Sequence, residues 1–258
     1  MNRRKFITAS TAAGLTTAAA AETPLKNSVY ALYYFYMRNG TQVERTTAYL
    51  RDTYAPAAKR NGIPTVGFFS PVVGERSPYI LSLAVYPSFG AIETVHQKFA
   101  EDKEFQKGWD AYNTIGDPAY VRMEVSMLYA FDKLPTIEVP PIESGKPARL
   151  FELRTYESMN EKAGAKKIAM FESGEAAIFK KVGMQTVLFG KTIAGQNMPS
   201  LTYMLGYDNL AARDTLWKAF SSDPDWQKLR ATPGLSDAEI VSNISNTLLR
   251  PLPFSMIK

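Results

Sequence analysis

One spacing recurs along this chain and limits what it can fold into: residues 121 positions apart keep matching. Lys59-Arg60-Asn61-Gly62-Ile63-Pro64-Thr65-Val66-Gly67-Phe68 parallels Lys180-Lys181-Val182-Gly183-Met184-Gln185-Thr186-Val187-Leu188-Phe189, which sets Gly62 against Gly183. The same spacing aligns Leu32 with Leu153, Gly74 with Gly195, Tyr86 with Tyr207, Phe99 with Phe220, Asp102 with Asp223 and Phe105 with Trp226. A register held without a gap over most of the chain marks an internal duplication. It shortens by two near the end, where Val125-Ser126 matches Ile244-Ser245. The 258 residues therefore hold two small α+β domains rather than one large one.

Each copy reads as strand, helix, strand, strand, helix, strand. In the first, Val29 to Met37 is an unbroken apolar and aromatic run, as in a strand covered on both faces. Val43, Thr47, Leu50, Tyr54, Ala57 and Ala58 then recur at helical spacing, and Asn61-Gly62 closes that helix. Thr65 to Pro71 and Tyr79 to Tyr86 form a hairpin around Gly74. Phe89, Ile92, Val95, His96 and Phe99 stripe a second helix, and Arg122 to Phe131 is the last strand. The second copy repeats the plan with strands at 149–156, 185–191, 201–207 and 239–249. Its helical stripes run through Ile168, Phe171, Ile178, Phe179 and Val182, and through Leu210, Leu216, Trp217 and Phe220. A Pro-rich stretch containing Pro135, Pro140, Pro141 and Gly145 separates the copies. The expected organisation is a first domain over 27–133, a linker over 134–147 and a second domain over 148–258.

A βαββαβ order is the ferredoxin-like unit, one antiparallel sheet with two helices on one face. Strands apolar on both sides need their second face covered as well. Two copies in one chain supply that cover by packing sheet to sheet, which predicts an α/β barrel with the helices outside.

The chain has no Cys and a single His, His96, which excludes disulfides, thiolate zinc sites, iron–sulfur clusters and multi-His metal sites. No G-x-S-x-G nucleophile elbow occurs. No cofactor and no metal are expected. The net charge of +5 includes Arg3, Arg4 and Lys5 of an N-terminal segment; without them it falls to about +2, which gives no reason to expect nucleic acid as a partner. That segment, Arg3-Arg4-Lys5-Phe6-Ile7 followed by an uncharged Ala/Thr stretch, reads as a twin-arginine export signal over residues 1–21. Ala19-x-Ala21 suits cleavage before Glu22, so a periplasmic or extracellular location is expected. No apolar run is long enough for a stable membrane span. The outer helix faces offer surface for a homo-oligomer, and nothing in the pattern compels one.

Phe151-Glu152-Leu153-Arg154-Thr155-Tyr156 resembles the opening strand of NIPSNAP-family domains. Tyr203 to Tyr207, Leu210-Ala211-Ala212-Arg213 and Asp223-Pro224-Asp225-Trp226 agree with that likeness, and the first copy shows it more weakly. The resemblance implies the dimeric α/β-barrel fold, shared with cofactor-independent monooxygenases and ligand-binding proteins, and implies no firm chemistry. The first copy departs from it by having Ala31, Tyr33 and Phe35 where the second has Glu152, Arg154 and Tyr156.

Strand alternation puts Glu152, Arg154 and Tyr156 on one face and Phe151, Leu153 and Thr155 on the other. Helices are expected over the Phe/Leu face, leaving the Glu/Arg/Tyr face toward the barrel interior. A charge there needs a partner, and Glu152 stands beside Arg154. Two roles are open to this pair: a lock between the sheets, or an Arg that orients a ligand in an aromatic-lined cavity with Tyr33, Tyr203 and Tyr207. His96 is expected to be partly buried and structural. The functional expectation is a small hydrophobic or aromatic ligand held in the barrel interior. A cofactor-independent monooxygenase or isomerase using the same cavity, and an interaction module with a filled core, are the alternatives.

Overall fold

The strands earn their place by carrying apolar side chains on both faces, and the helices by carrying them on one. In the first copy the computed structural model shows β1 (Val29–Tyr36), α1 (Thr41–Tyr49), a π-helical turn (Leu50–Tyr54), α2 (Ala55–Asn61), β2 (Thr65–Val73) and β3 (Tyr79–Tyr86). They are followed by α3 (Phe89–Glu101), α4 (Lys103–Tyr112) and β4 (Arg122–Ala130). The second copy has β5 (Leu150–Glu157), α5 (Glu161–Met170), a π turn (Phe171–Glu175), α6 (Ala176–Lys181), β6 (Gln185–Ala194) and β7 (Ser200–Tyr207). It ends with α7 (Leu210–Ser222), α8 (Pro224–Arg230), α9 (Asp237–Ile240) and β8 (Asn243–Pro251). Residues 27–114, 116–139, 141 and 147–258 are described. The expected signal and part of the expected linker lie outside them.

Equivalent residues perform equivalent local tasks. Gly62 (φ 98°) and Gly183 (φ 90°) take the left-handed conformation that ends the first helical arm of each copy, where a side chain would be strained. Asp102 and Asp223 cap α4 and α8 by accepting backbone N–H bonds, from Phe105 and from Asp225 and Trp226 respectively. The aromatic after each cap docks on its neighbour: Phe105 stacks on Phe99 at 4.5 Å, and Trp226 meets Phe220 at 4.6 Å. The second helical arm of each copy is therefore two helices, not the one expected. The last strand also starts later than its apolar pattern suggested, because Ser236 and Glu239 form a capping box that folds 237–240 into α9.

All strand pairs are antiparallel, in the closed order β1-β3-β2-β8-β5-β7-β6-β4. Each copy contributes a four-stranded ferredoxin-like sheet, and the β2–β8 and β4–β6 ladders join them edge to edge. Closure leaves no sheet edge unpaired. Phe69, Phe151, Leu128, Val187, Met204, Leu249 and their neighbours pack the barrel interior. Two further cores lie between sheet and helices, one in each copy. Among the described residues no helix is long and apolar enough to cross a membrane.

Candidate functional site

Glu152 is fully buried, and six donor atoms surround its carboxylate. Arg154 Nη1 donates at 2.8 Å, Arg213 Nε and Nη2 at 2.8 Å each, Trp217 Nε1 and Asn246 Nδ2 at 3.0 Å, and Tyr207 OH at 3.3 Å. Burial alone would raise its pKa. The hydrogen bonds from Arg213, Asn246 and Trp217 and the charge of Arg154 override that and hold it down at about 2. Arg154 also donates to Tyr156 OH at 3.2 Å, and its guanidinium lies 4.6 Å from the Trp217 ring. Tyr203 OH donates to Tyr156 OH at 2.9 Å. Beside them Lys167, fully buried, meets Glu175 at 3.3 Å beneath the rings of Tyr156, Phe171 and Trp226. Burial pushes Glu175 up to about 7, against the pull of Lys167.

The structure thus brings Glu152, Arg154, Tyr156 and Tyr203 together, but on the opposite face from the one expected. Tyr156 and Tyr203 pack in the core under the helices, whereas Phe151 and Leu153 pack in the barrel. Alternation establishes which residues share a face and says nothing about where that face points. Helix α7 decides it, since Arg213 and Trp217 reach down from it to donate to Glu152.

In the first copy the same location is a cavity of about 480 Å3 between sheet and helices. Tyr33, Tyr49, Tyr54, Tyr86, Phe99 and Tyr120 are among its walls. Its identity comes from replacements at equivalent positions. Ala31 stands for Glu152, Tyr33 for Arg154, Tyr54 for Glu175, Ser82 for Tyr203, Ile92 for Arg213 and His96 for Trp217. The exchange of Tyr203 for Ser82 matters most for volume. Tyr203 is fully buried against Phe171, Phe179 and Phe189, and a serine cannot fill that space.

Ser82 is 1% exposed, and among the described residues its hydroxyl has no hydrogen-bond partner where it lines the cavity. The hydroxyls of Tyr33, Tyr54 and Tyr86 lie near one another, and burial raises all three phenols. His96 sits at the rim and is exposed, not partly buried as its helical stripe suggested. One residue on from Val95 turns it about 100° from the buried line of Val95 and Phe99. Of the sequence candidates, Tyr33 alone lines this cavity. Ser82 was not foreseen; the signal for it was a serine in an otherwise apolar strand opposite a tyrosine in the other copy. No group of three or more His, Asp or Glu suited to a metal exists among the described residues.

Fold and site together define a duplicated ferredoxin-like barrel with one filled and one open subsite beneath its helices. The NIPSNAP family model matches residues 30–132 and 151–256, and the chain belongs to the NIPSNAP family. No curated protein sequence matches it. Among solved structures it is similar to a protein from Lactobacillus acidophilus NCFM provisionally named a monooxygenase, with TM-score 0.57 and 12% identity, covering 87% of this chain and 94% of that one. An anthrone oxidase-like protein gives TM-score 0.54 and 12% identity, over 88% and 92%. A NIPSNAP-like domain protein from Burkholderia xenovorans is 20% identical, with TM-score 0.38, over 42% of this chain and 89% of that one. The first two likenesses extend the whole duplicated barrel to other proteins and concern the fold alone.

Proposed function

We propose that this protein binds a small aromatic or hydrophobic molecule in the cavity of its first copy. The observation that carries this reading is the replacement of a buried tyrosine by Ser82, which leaves an aromatic-walled space of about 480 Å3 with the buried Ser82 hydroxyl facing it. That volume lies in the range of ligand pockets, and apolar walls with few polar groups are their usual composition. Burial of apolar ligand surface supplies affinity at about 25 cal/mol per Å2 before ordering costs. A hydrogen bond to Ser82 Oγ orients the ligand and satisfies the serine. The site lies under the helices rather than inside the barrel. The Glu152–Arg154 cluster of the second copy acts in this reading as a fixed structural counterpart.

The test is mass spectrometry of small molecules retained by the native protein, followed by titration of 1-naphthol into wild type and Ser82→Tyr. Saturable binding lost in the variant supports the site; binding that survives it removes the cavity from consideration.

A second reading, oxidation of the bound molecule without a cofactor, draws on the two whole-chain likenesses and on His96 at the cavity rim. Ligand-dependent oxygen uptake that falls in His96→Ala would establish it. Export through the twin-arginine signal belongs to the same proposal, and loss of periplasmic protein in Arg3→Lys/Arg4→Lys tests it.

A further inference from the structure

The barrel interior is closed by apolar packing over only part of its length. Toward the end where the hairpin tips of both copies meet, it opens into a second chamber of about 670 Å3. Its floor includes Leu32 and Leu153, and above them the chemistry changes to hydroxyls and amides. We propose that this chamber binds a neutral polyhydroxylated molecule, a mono- or disaccharide.

The argument starts from the donor and acceptor inventory. Ser126, Thr155, Thr192, Ser200, Thr202 and Thr247 line the chamber with hydroxyls, and Asn243, whose Nδ2 donates to Glu157 at 2.8 Å, adds an amide with a second N–H and a carbonyl. Thr155 Oγ1 and Thr202 Oγ1 lie 2.9 Å apart, and Ser200 Oγ donates to Thr192 Oγ1 at 2.8 Å. Each such pair uses one hydrogen, leaving an O–H and several lone pairs for another partner. Groups that both donate and accept match sugar hydroxyls, which do the same.

Charge balance argues against an anionic ligand. Glu124 accepts from Tyr36 OH at 3.2 Å and is met by Arg122 at 2.8 Å and Arg76 at 3.4 Å. Arg76 and Arg122 thereby both serve Glu124, while Glu75 lines the chamber and Glu157 accepts from Asn243 beside it. An anion therefore finds no excess of positive charge there. The rings of Tyr34, Tyr36 and Tyr79, 5.5–6.2 Å apart, form one wall and suit the C–H face of a sugar ring.

The backbone supplies a second observation. Arg76 (φ 57°) and Asn197 (φ 59°) are equivalent residues at the two hairpin tips, and both line the chamber. A left-handed conformation is uncommon for residues other than glycine, asparagine and aspartate, so it is ordinary at Asn197 and unfavourable at Arg76. At Arg76 the strain is held at the mouth of the chamber, where the side chain also reaches Glu124. The two copies divide the work: the first supplies the tyrosines, the second the threonines and Asn243.

Isothermal titration of the full chain with glucose, N-acetylglucosamine, cellobiose and maltose tests the proposal. Saturable binding of at least one sugar is expected. It should weaken at least roughly tenfold in Thr155→Val/Thr202→Val and in Asn243→Ala, since each removes hydrogen bonds from the bound sugar. Asn243 is exposed, so its variant keeps the test valid if the double variant fails to fold. Ser82→Tyr should leave sugar binding unchanged, which separates this site from the cavity beneath the helices. Absence of saturable binding for all four sugars, or an affinity that survives both barrel variants, overturns the proposal.

Discussion

The two spaces beneath the helices are related by duplication yet are opposites in chemistry. In the second copy, Glu152, Arg154, Arg213 and Trp217 fill the space with a charged network in which every member has protein partners. In the first, Ala31, Tyr33, Ile92 and His96 hold those positions, the carboxylate and both guanidiniums are gone, and a cavity remains. The π turns Leu50–Tyr54 and Phe171–Glu175 contribute to both spaces, so the backbone scaffold is shared. What differs is the set of side chains that either satisfy one another or leave room. The comparison teaches that a duplicated fold can fill a space in one copy with a self-satisfying network and leave the equivalent space open in the other.

The sharpest way to break this contrast is to remove the centre of the second copy's network. Glu152→Ala strands the buried charges of Arg154 and Arg213, and it should cost about 3–5 kcal/mol in denaturant unfolding. A loss under about 1 kcal/mol would show the network to behave like a surface ion pair.

Acid offers a graded version of the same test. The folded pKa of Glu152 lies at about 2, below that of the unfolded chain, so its stabilisation is present above the unfolded value and disappears as pH falls toward 2. The loss should approach about 3 kcal/mol, and it should be absent in Glu152→Gln. Glu175 has the opposite sign. Its folded pKa of about 7 lies above the unfolded one, so its contribution falls as pH rises from the ordinary carboxylate range to about 7. Stability measured across that window should decline less steeply in Glu175→Gln.

The first copy is sharpened by giving it the second copy's residue. Ser82→Tyr should weaken binding of 1-naphthol at least roughly tenfold, or about 1.4 kcal/mol, while the protein stays folded. The smallest effect is expected at the rim. His96→Ala should change unfolding stability by less than about 0.5 kcal/mol, because the side chain is exposed and meets the Phe99 ring edge-on at 6.4 Å. A larger loss would place His96 in the core architecture.

Much of the fold was legible because its causes are local and repeated. The spacing between Gly62 and Gly183, the apolar strands and the helical stripes are written in neighbouring residues, and comparing the copies reinforced each of them. The split of the second helical arm was less legible. The caps at Asp102 and Asp223 interrupt apolar patterns that otherwise run on, and only cap geometry reveals the break. For the site, the sequence brought Glu152, Arg154, Tyr156 and Tyr203 forward as candidates, and they do meet. It put them on the wrong side of the sheet.

By itself, then, the sequence determined the duplication, the order of elements, the closed two-sheet design and which residues share a face, since these follow from spacing and alternation along one chain. Tertiary structure alone decided which face looks inward, where an aromatic cavity opens and where the barrel turns polar. Those outcomes depend on residues far apart in sequence: Arg213 and Trp217 reaching Glu152, Ser82 standing where Tyr203 would fill, and the tyrosines of one copy meeting the threonines of the other.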